Sequence, residues 1–92
     1  ETKKIVVTVI GRDQVGIVAR VATVLSESKV NIEDINQKIL GGEIFAMTLF
    51  ADRVGSPLSL PELSAALGDS VAEMGLEVRV QDAEVLRFMP RV

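Results

Sequence analysis

The residues best suited to bind a ligand lie in one short polar stretch. Residues 10–17 read Ile-Gly-Arg-Asp-Gln-Val-Gly-Ile and join a β-branched run to a pattern typical of a helix. Such a loop places backbone N–H groups at a helix N-terminus, which favours carboxylates and phosphates because its donors are unsatisfied and carry partial positive charge. A structural interpretation explains the loop equally well, since Gly11 and Gly16 permit a tight turn and Asp13 can cap the helix. The loop alone leaves both interpretations open.

The composition excludes several other kinds of chemistry. None of the 92 residues is a cysteine or a histidine, so there is no thiolate chemistry and the commonest general base is missing. A net charge of −3 and the absence of Trp and Tyr argue against a nucleic-acid partner. No apolar run is long enough for a membrane span and no signal peptide is recognisable, so we expect no membrane partner and a cytoplasmic location.

Two weaker candidate sites use oxygen or sulfur ligands. Glu33 and Asp34 could join Asp13 around a hard cation, but neighbouring residues of a strand point to opposite faces, which leaves one of the pair available. A solvated sheet edge explains these carboxylates better. The three methionines are interpreted as core packing rather than as a soft-metal site. We therefore expect neither a metal nor a cofactor.

The spacing of apolar residues predicts the elements that flank the loop. A strand is expected over residues 3–10, because every position from 5 to 10 except Thr8 is apolar, which is typical of a central strand covered on both faces. Apolar residues then recur at helical spacing from Ile17 to Leu25. This helix is expected to begin at Gly16 and to end near residues 28–29.

A hairpin follows the first helix. The second strand is expected over residues 31–40 with one solvated face, and with a bulge or turn at 33–34 where the apolar phase changes. Two glycines at 41–42 predict a tight hairpin turn. The third strand, 43–52, is apolar on both faces and is therefore expected to be largely buried.

A second helix and a fourth strand complete the pattern. Ser59 and Glu62 form a capping box at the start of a helical pattern over 60–74. Alternation then predicts a strand over 76–81, and a short C-terminal helix follows over 82–89, with its first residue as the N-cap.

The order β-α-β-β-α-β defines an α+β fold within a single domain, residues 1–92. Right-handed crossovers turn this order into a ferredoxin-like sandwich, with an antiparallel sheet in the order 4-1-3-2, both helices on one face, and the short C-terminal helix in addition. The face away from the helices is also apolar. The C-terminal helix, a second subunit or both are expected to cover it, since 48% of the residues are hydrophobic.

Over essentially the whole chain these residues resemble the ACT domain family. The similarity rests on Ile-Gly-Arg-Asp-Gln-Val-Gly-Ile-Val at 10–18, which ends a strand and precedes a helix, and on Lys-Val-Asn-Ile at 29–32, which opens the second strand. The family's polar D-x-x-G-type loop and its x-V-N-I motif are both present. The ending at 81–89 looks like that of small stand-alone ACT proteins.

The resemblance implies regulation rather than catalysis. ACT domains pair side by side into an eight-stranded sheet and hold small ligands, typically amino acids, at the interface. The implied partners are a second copy in a homodimer or larger homo-oligomer, an amino-acid ligand that acts allosterically, and a regulated protein.

The resemblance also assigns site residues. Asp13 and Asn31 would hold the ligand's ammonium, and its carboxylate would lie near the N–H groups of residues 15–17. Gly11 stands where some binders have a side-chain donor. The expected ligand-binding residues are Gly11, Asp13, Gln14, Val15, Gly16, Ile17, Asn31 and Ile32.

Two other functions stay open. The chain could be a structural dimerisation module that binds no ligand. It could also be an acylphosphatase-like hydrolase, because residues 14–20 faintly resemble the phosphate loop of those enzymes. That chemistry needs an arginine in the loop, whereas Arg20 is expected about a turn inside the helix as a solvated residue, and a shared fold carries little functional weight.

Overall fold

A computed structural model describes residues 3–84 of the protein. One antiparallel sheet of four strands carries two α-helices, and a 3₁₀ turn, Ala72–Met74, joins the second helix to the last strand. The elements are β1 (Lys4–Arg12), α1 (Ile17–Glu27), β2 (Asn31–Leu40), β3 (Ile44–Asp52), α2 (Leu60–Ser70) and β4 (Glu77–Asp82). The strand order is β2-β3-β1-β4, which confirms the predicted order 4-1-3-2.

The core lies between the sheet and the two helices, and it follows the predicted spacings. Alternate residues of β1 and β3 meet the apolar stripes of α1 and α2, because side chains repeat every two residues in a strand and every three to four in a helix. Its members are Ile5, Val7, Val9, Ile17, Val21, Leu25, Val30, Phe45, Met47, Leu49, Ala51, Leu63, Leu67 and Val71.

Several boundary predictions are confirmed, and one is wrong. The pairing register shifts between Ile32 and Asp34, as expected for a bulge, and the hairpin turns at residues 41–42. The second helix does not continue to residue 74, since α2 ends at Ser70 and the chain tightens into a 3₁₀ turn. The C-terminal helix predicted over 82–89 lies mostly outside the described residues, but the Asp82 carboxylate accepts a hydrogen bond from the Glu84 N–H (2.8 Å), as an N-cap does.

The second strand is more exposed than its alternation suggests. Ile35 and Ile39 lie on the helix side of the sheet and are still 39% and 47% exposed, so the prediction of a single solvated face is wrong. The physical reason is position: β2 is an edge strand, and α1 contacts little of it. The third strand is likewise only half-buried on its open face, where Ile44 is exposed.

The register defines two ends of the sheet. Lys4 is paired with Asp52, and Asp52 with Asn31, at one end. At the other end Arg12 is paired with Ile44, and Ile44 with Leu40. The loop that follows Arg12 therefore leaves the sheet at the end opposite to the start of β2.

Candidate functional site

The loop between β1 and α1 begins as a continuation of the sheet. The Asp13 N–H donates a hydrogen bond to the Glu43 carbonyl (2.7 Å), which extends the pairing of β1 with β3 by one residue. The N-cap of α1 is Gly16, and no side chain caps the helix. The interpretation of Asp13 as a helix cap is therefore wrong, because its backbone is held in the ladder three residues before the N-cap. The Asp13 carboxylate is exposed and can meet a ligand.

Gly16 is required by its backbone conformation. Its φ is +94°, in the left-handed region that favours glycine, which agrees with the interpretation that Gly16 permits a tight turn. A Cβ atom built there would have no neighbour within 4 Å, so the constraint is torsional and not steric. The open space also leaves the N-terminus of α1 accessible.

At Gly11 the constraint is steric and not torsional. A Cβ atom at Gly11 would lie 2.5 Å from Leu76 Cδ2 and 3.3 Å from Leu76 Cα. The end of β1 thus packs directly on the connection that enters β4. This close approach gives Gly11 a structural role, and its part in ligand binding stays a prediction.

Two side chains anchor the loop and α1 to the same connection. Gln14 Nε2 donates hydrogen bonds to the Arg12 carbonyl (2.9 Å) and the Met74 carbonyl (3.0 Å). Arg20 Nη1 donates to the Ser70 carbonyl (2.9 Å) and forms an ion pair with Glu73 (2.9 Å). Arg20 is therefore not a simply solvated residue, and it faces α2 rather than a phosphate loop. These contacts depend on tertiary structure, so no local pattern could have identified them.

The tip of the loop is apolar and uncovered. The Val15 side chain is 98% exposed, although a residue at this position often packs against the first turns of its helix. Ile17 is buried in the core. Of the three predicted contacts at residues 15–17, Val15 and Gly16 are therefore exposed at the loop and Ile17 is not.

Asn31 and Ile32 lie far from this loop within one chain. They start β2, at the sheet end that also holds Lys4, and the eight steps along β1 from Lys4 to Arg12 span roughly 26 Å. The Asn31 side chain is exposed. It lines an open groove of about 430 Å³ with Ala22, Ser26, Lys29, Val30 and Ile32. A single chain therefore does not bring all the predicted residues together.

Charges near the start of β2 pair with one another. Lys4 Nζ forms ion pairs with Glu33 and, at 3.5 Å, with Asp52. The hydrogen bond to Glu33 is the main cause that raises the pKa of Lys4 above its ordinary value. This pairing leaves Glu33 poorly placed to join Asp13 around a cation. Within residues 3–84 no cluster of acidic side chains is arranged to hold a metal ion.

The four-stranded antiparallel sheet with two helices on one face defines a ferredoxin-like α+β domain, and comparison with known proteins gives the family. A family model described as "ACT domain" matches residues 3–81, so the chain belongs to the ACT domain family. A UPF0237 protein of Methanosarcina acetivorans is 41% identical over 91 residues, which cover 99% of this chain and 98% of that protein. No helix within residues 3–84 is long and apolar enough to cross a membrane.

Two solved structures extend the comparison. An ACT domain protein from Streptococcus pneumoniae superposes with a TM-score of 0.80 at 27% identity, covering 98% of this chain and 100% of that one. The ligand-free regulatory subunit of aspartate kinase from Thermus thermophilus gives a TM-score of 0.67 at 26% identity, covering 88% of this chain and 52% of that one.

Proposed function

We propose that this protein is a non-catalytic regulatory domain of the cytoplasm that binds an amino acid between two copies of itself. The observation that carries the proposal is the uncapped N-terminus of α1, because its N–H groups have no side-chain acceptor and Gly16 leaves the space in front of them open. Membership of a family that generally binds regulatory ligands supports the same conclusion.

The second copy is expected on the β2 edge of the sheet. This strand has a hydrogen-bonded neighbour on one side only, and three of its apolar side chains, those of Ile35, Ile39 and Leu40, are exposed by 39% to 50%. An exposed apolar edge strand favours pairing with another chain. Antiparallel pairing of β2 with β2 about a two-fold axis would bring Asn31 of one copy to the sheet end that carries the partner's β1–α1 loop.

This arrangement accounts for the separation of the predicted residues. Each composite site would take Asp13 and the α1 N-terminus from one copy and the groove beside Asn31 from the other. The ligand's carboxylate would accept hydrogen bonds from the N–H groups at 15–17. Its ammonium would meet the Asp13 carboxylate and the Asn31 amide oxygen.

Calorimetric titration with the twenty amino acids tests the proposal directly. Asp13→Ala and Asn31→Ala are each expected to weaken the bound amino acid by about tenfold or more, since each removes one charge-assisted hydrogen bond worth roughly 1.5–3 kcal/mol. Both side chains are exposed, so the melting temperatures should not change. Asp69→Ala, at an exposed position of α2, is the matched control and should bind like the original protein.

The exposed apolar edge favours a second candidate, a structural dimerisation module without a ligand. Light scattering at micromolar concentration, combined with the titrations, separates the two. A dimer that binds an amino acid supports the regulatory proposal, and a dimer that binds none of the twenty supports the module. A monomer in the presence of every amino acid contradicts both.

A further inference from the structure

One residue beside the Asn31 groove holds an unfavourable backbone conformation. Lys29 has φ = +61° and is the only non-glycine residue with positive φ among residues 3–84. It follows α1 in a Schellman motif, in which its N–H donates to the Ser26 carbonyl (3.1 Å) and the Val30 N–H donates to the Leu25 carbonyl (2.9 Å). Glycine is preferred at this position, because a Cβ atom strains the left-handed conformation. Lys29 therefore carries its side chain at a conformational cost.

The helix dipole does not account for that cost. A cation near a helix C-terminus is favourable, but the effect is available anywhere in the last turn. The last turn of α1 contains no basic residue, and Glu27 ends the helix. A lysine in that turn would complement the dipole at ordinary helical angles. The dipole therefore gives no reason to place the lysine at the strained position.

The position of Lys29 suggests a reason. Lys29 is one of the residues that line the groove of about 430 Å³, together with Ser26 and Asn31, and it is exposed. The ion pairs of residues 3–84 involve Lys4 and Arg20, which leaves Lys29 without a counter-ion in that part of the chain. Within the described residues the groove therefore has an unpaired lysine at its border, two residues before the expected ligand contact Asn31.

We infer that Lys29 binds a second carboxylate and that the ligand is an acidic amino acid, aspartate or glutamate. The inference rests on the proposed function, which already assigns the ligand's α-carboxylate to the α1 N-terminus and its ammonium to Asp13 and Asn31. Among the residues assigned to the composite site, Lys29 is then the one charged group without a partner on the ligand. A carboxylate on the side chain of the ligand would pair with it. Asp13 from one copy would then be the counter-ion of the ligand's ammonium. Lys29 from the other copy would be the counter-ion of its side-chain carboxylate.

Matched pairs of amino acids test this inference by calorimetry on the full chain. L-Glutamate and L-glutamine, or L-aspartate and L-asparagine, are close in shape and differ in the side-chain charge. The acid of one pair should bind at least tenfold more tightly than its amide. Lys29→Gln should abolish that preference, whereas Lys38→Gln, at an exposed position further along β2, should retain it.

Lys29→Gly adds a readout that a merely structural lysine would not reproduce. Relief of the left-handed strain should raise the melting temperature by a few degrees while the acid-over-amide preference is lost. Equal binding of acid and amide, or a preference that survives Lys29→Gln, overturns this inference and leaves the proposed function intact. If none of the twenty amino acids binds, both fail. A lower melting temperature for Lys29→Gly contradicts the strain argument.

Discussion

The two helices of this domain have the same length, 11 residues, but their N-termini are capped differently. At α2 the Ser59 hydroxyl accepts a hydrogen bond from the Glu62 N–H (3.2 Å), and the Glu62 carboxylate accepts one from the Ser59 N–H (2.8 Å). At α1 the N-cap is Gly16, and no side chain replaces these acceptors. The sequence of α2 thus satisfies its own helix end, whereas the end of α1 needs water or a ligand. This difference separates a helix end that is satisfied within the chain from one that is available to the proposed ligand.

The largest expected effect is at the N-cap of α1. Gly16→Val should destabilise the protein by about 2–3 kcal/mol, because a β-branched residue is strained at φ = +94°. Urea unfolding measures the change. Gly68→Ala, inside α2 with free space around it, is the control and should act in the opposite direction by about 0.5–1 kcal/mol. A Gly16→Val protein as stable as the original would mean that this N-terminus is not built as described.

A smaller difference in stability is expected when the polar side chain that precedes each helix is removed. Ser59→Ala removes one half of the capping box and should cost about 1 kcal/mol of unfolding free energy. Asp13→Ala should change stability by less than about 0.5 kcal/mol, because Asp13 caps nothing. Equal losses of unfolding free energy in the two variants, measured by thermal unfolding, would contradict the difference between the two helix ends.

The smallest effect depends on pH. The hydrogen bonds from Ser59, the backbone N–H first, lower the pKa of Glu62 below its ordinary value. A lowered pKa in the folded state stabilises the protein above the ordinary glutamate pKa of about 4.3, and this stabilisation is lost as the pH falls through the folded value. The stability difference between the original protein and Glu62→Gln should therefore shrink between about pH 6 and about pH 3. A difference independent of pH in urea unfolding would argue against a charged cap.

Local signals predicted most of the fold. Periodicity located all four strands and both helices, and the Ser59–Glu62 box marked the start of α2, because these features depend on neighbours within a few residues. The phase change after Ile32 marked the bulge for the same reason. The exposure of β2 could not be predicted, since it depends on which strand lies at the edge and on what covers it.

The site was only partly predictable. The positive φ of Gly16 follows from its place between strand and helix, and the structure confirms it. The close approach of Gly11 to Leu76 and the ion pair of Arg20 with Glu73 involve residues more than 50 positions apart, so no window of sequence contains them. The cap alternative for Asp13 is wrong because an aspartate before a helix resembles a cap, whereas here its N–H extends the β1–β3 pairing to Glu43; its role in ligand binding stays a prediction.

The anchoring of the loop has a consequence for the order of biosynthesis. Gln14 and Arg20 are held by carbonyl groups that lie 60 and 50 residues further along the chain. On the ribosome the loop emerges early, and its anchors follow only when most of the domain has been translated. The two ends of this long stretch of chain must come together, at a cost in conformational entropy, before the hydrogen bonds that hold the loop can form. Under the proposed function, the nascent chain would therefore bind the amino acid only after Met74 has emerged, and a product truncated before Met74 would not compete for it.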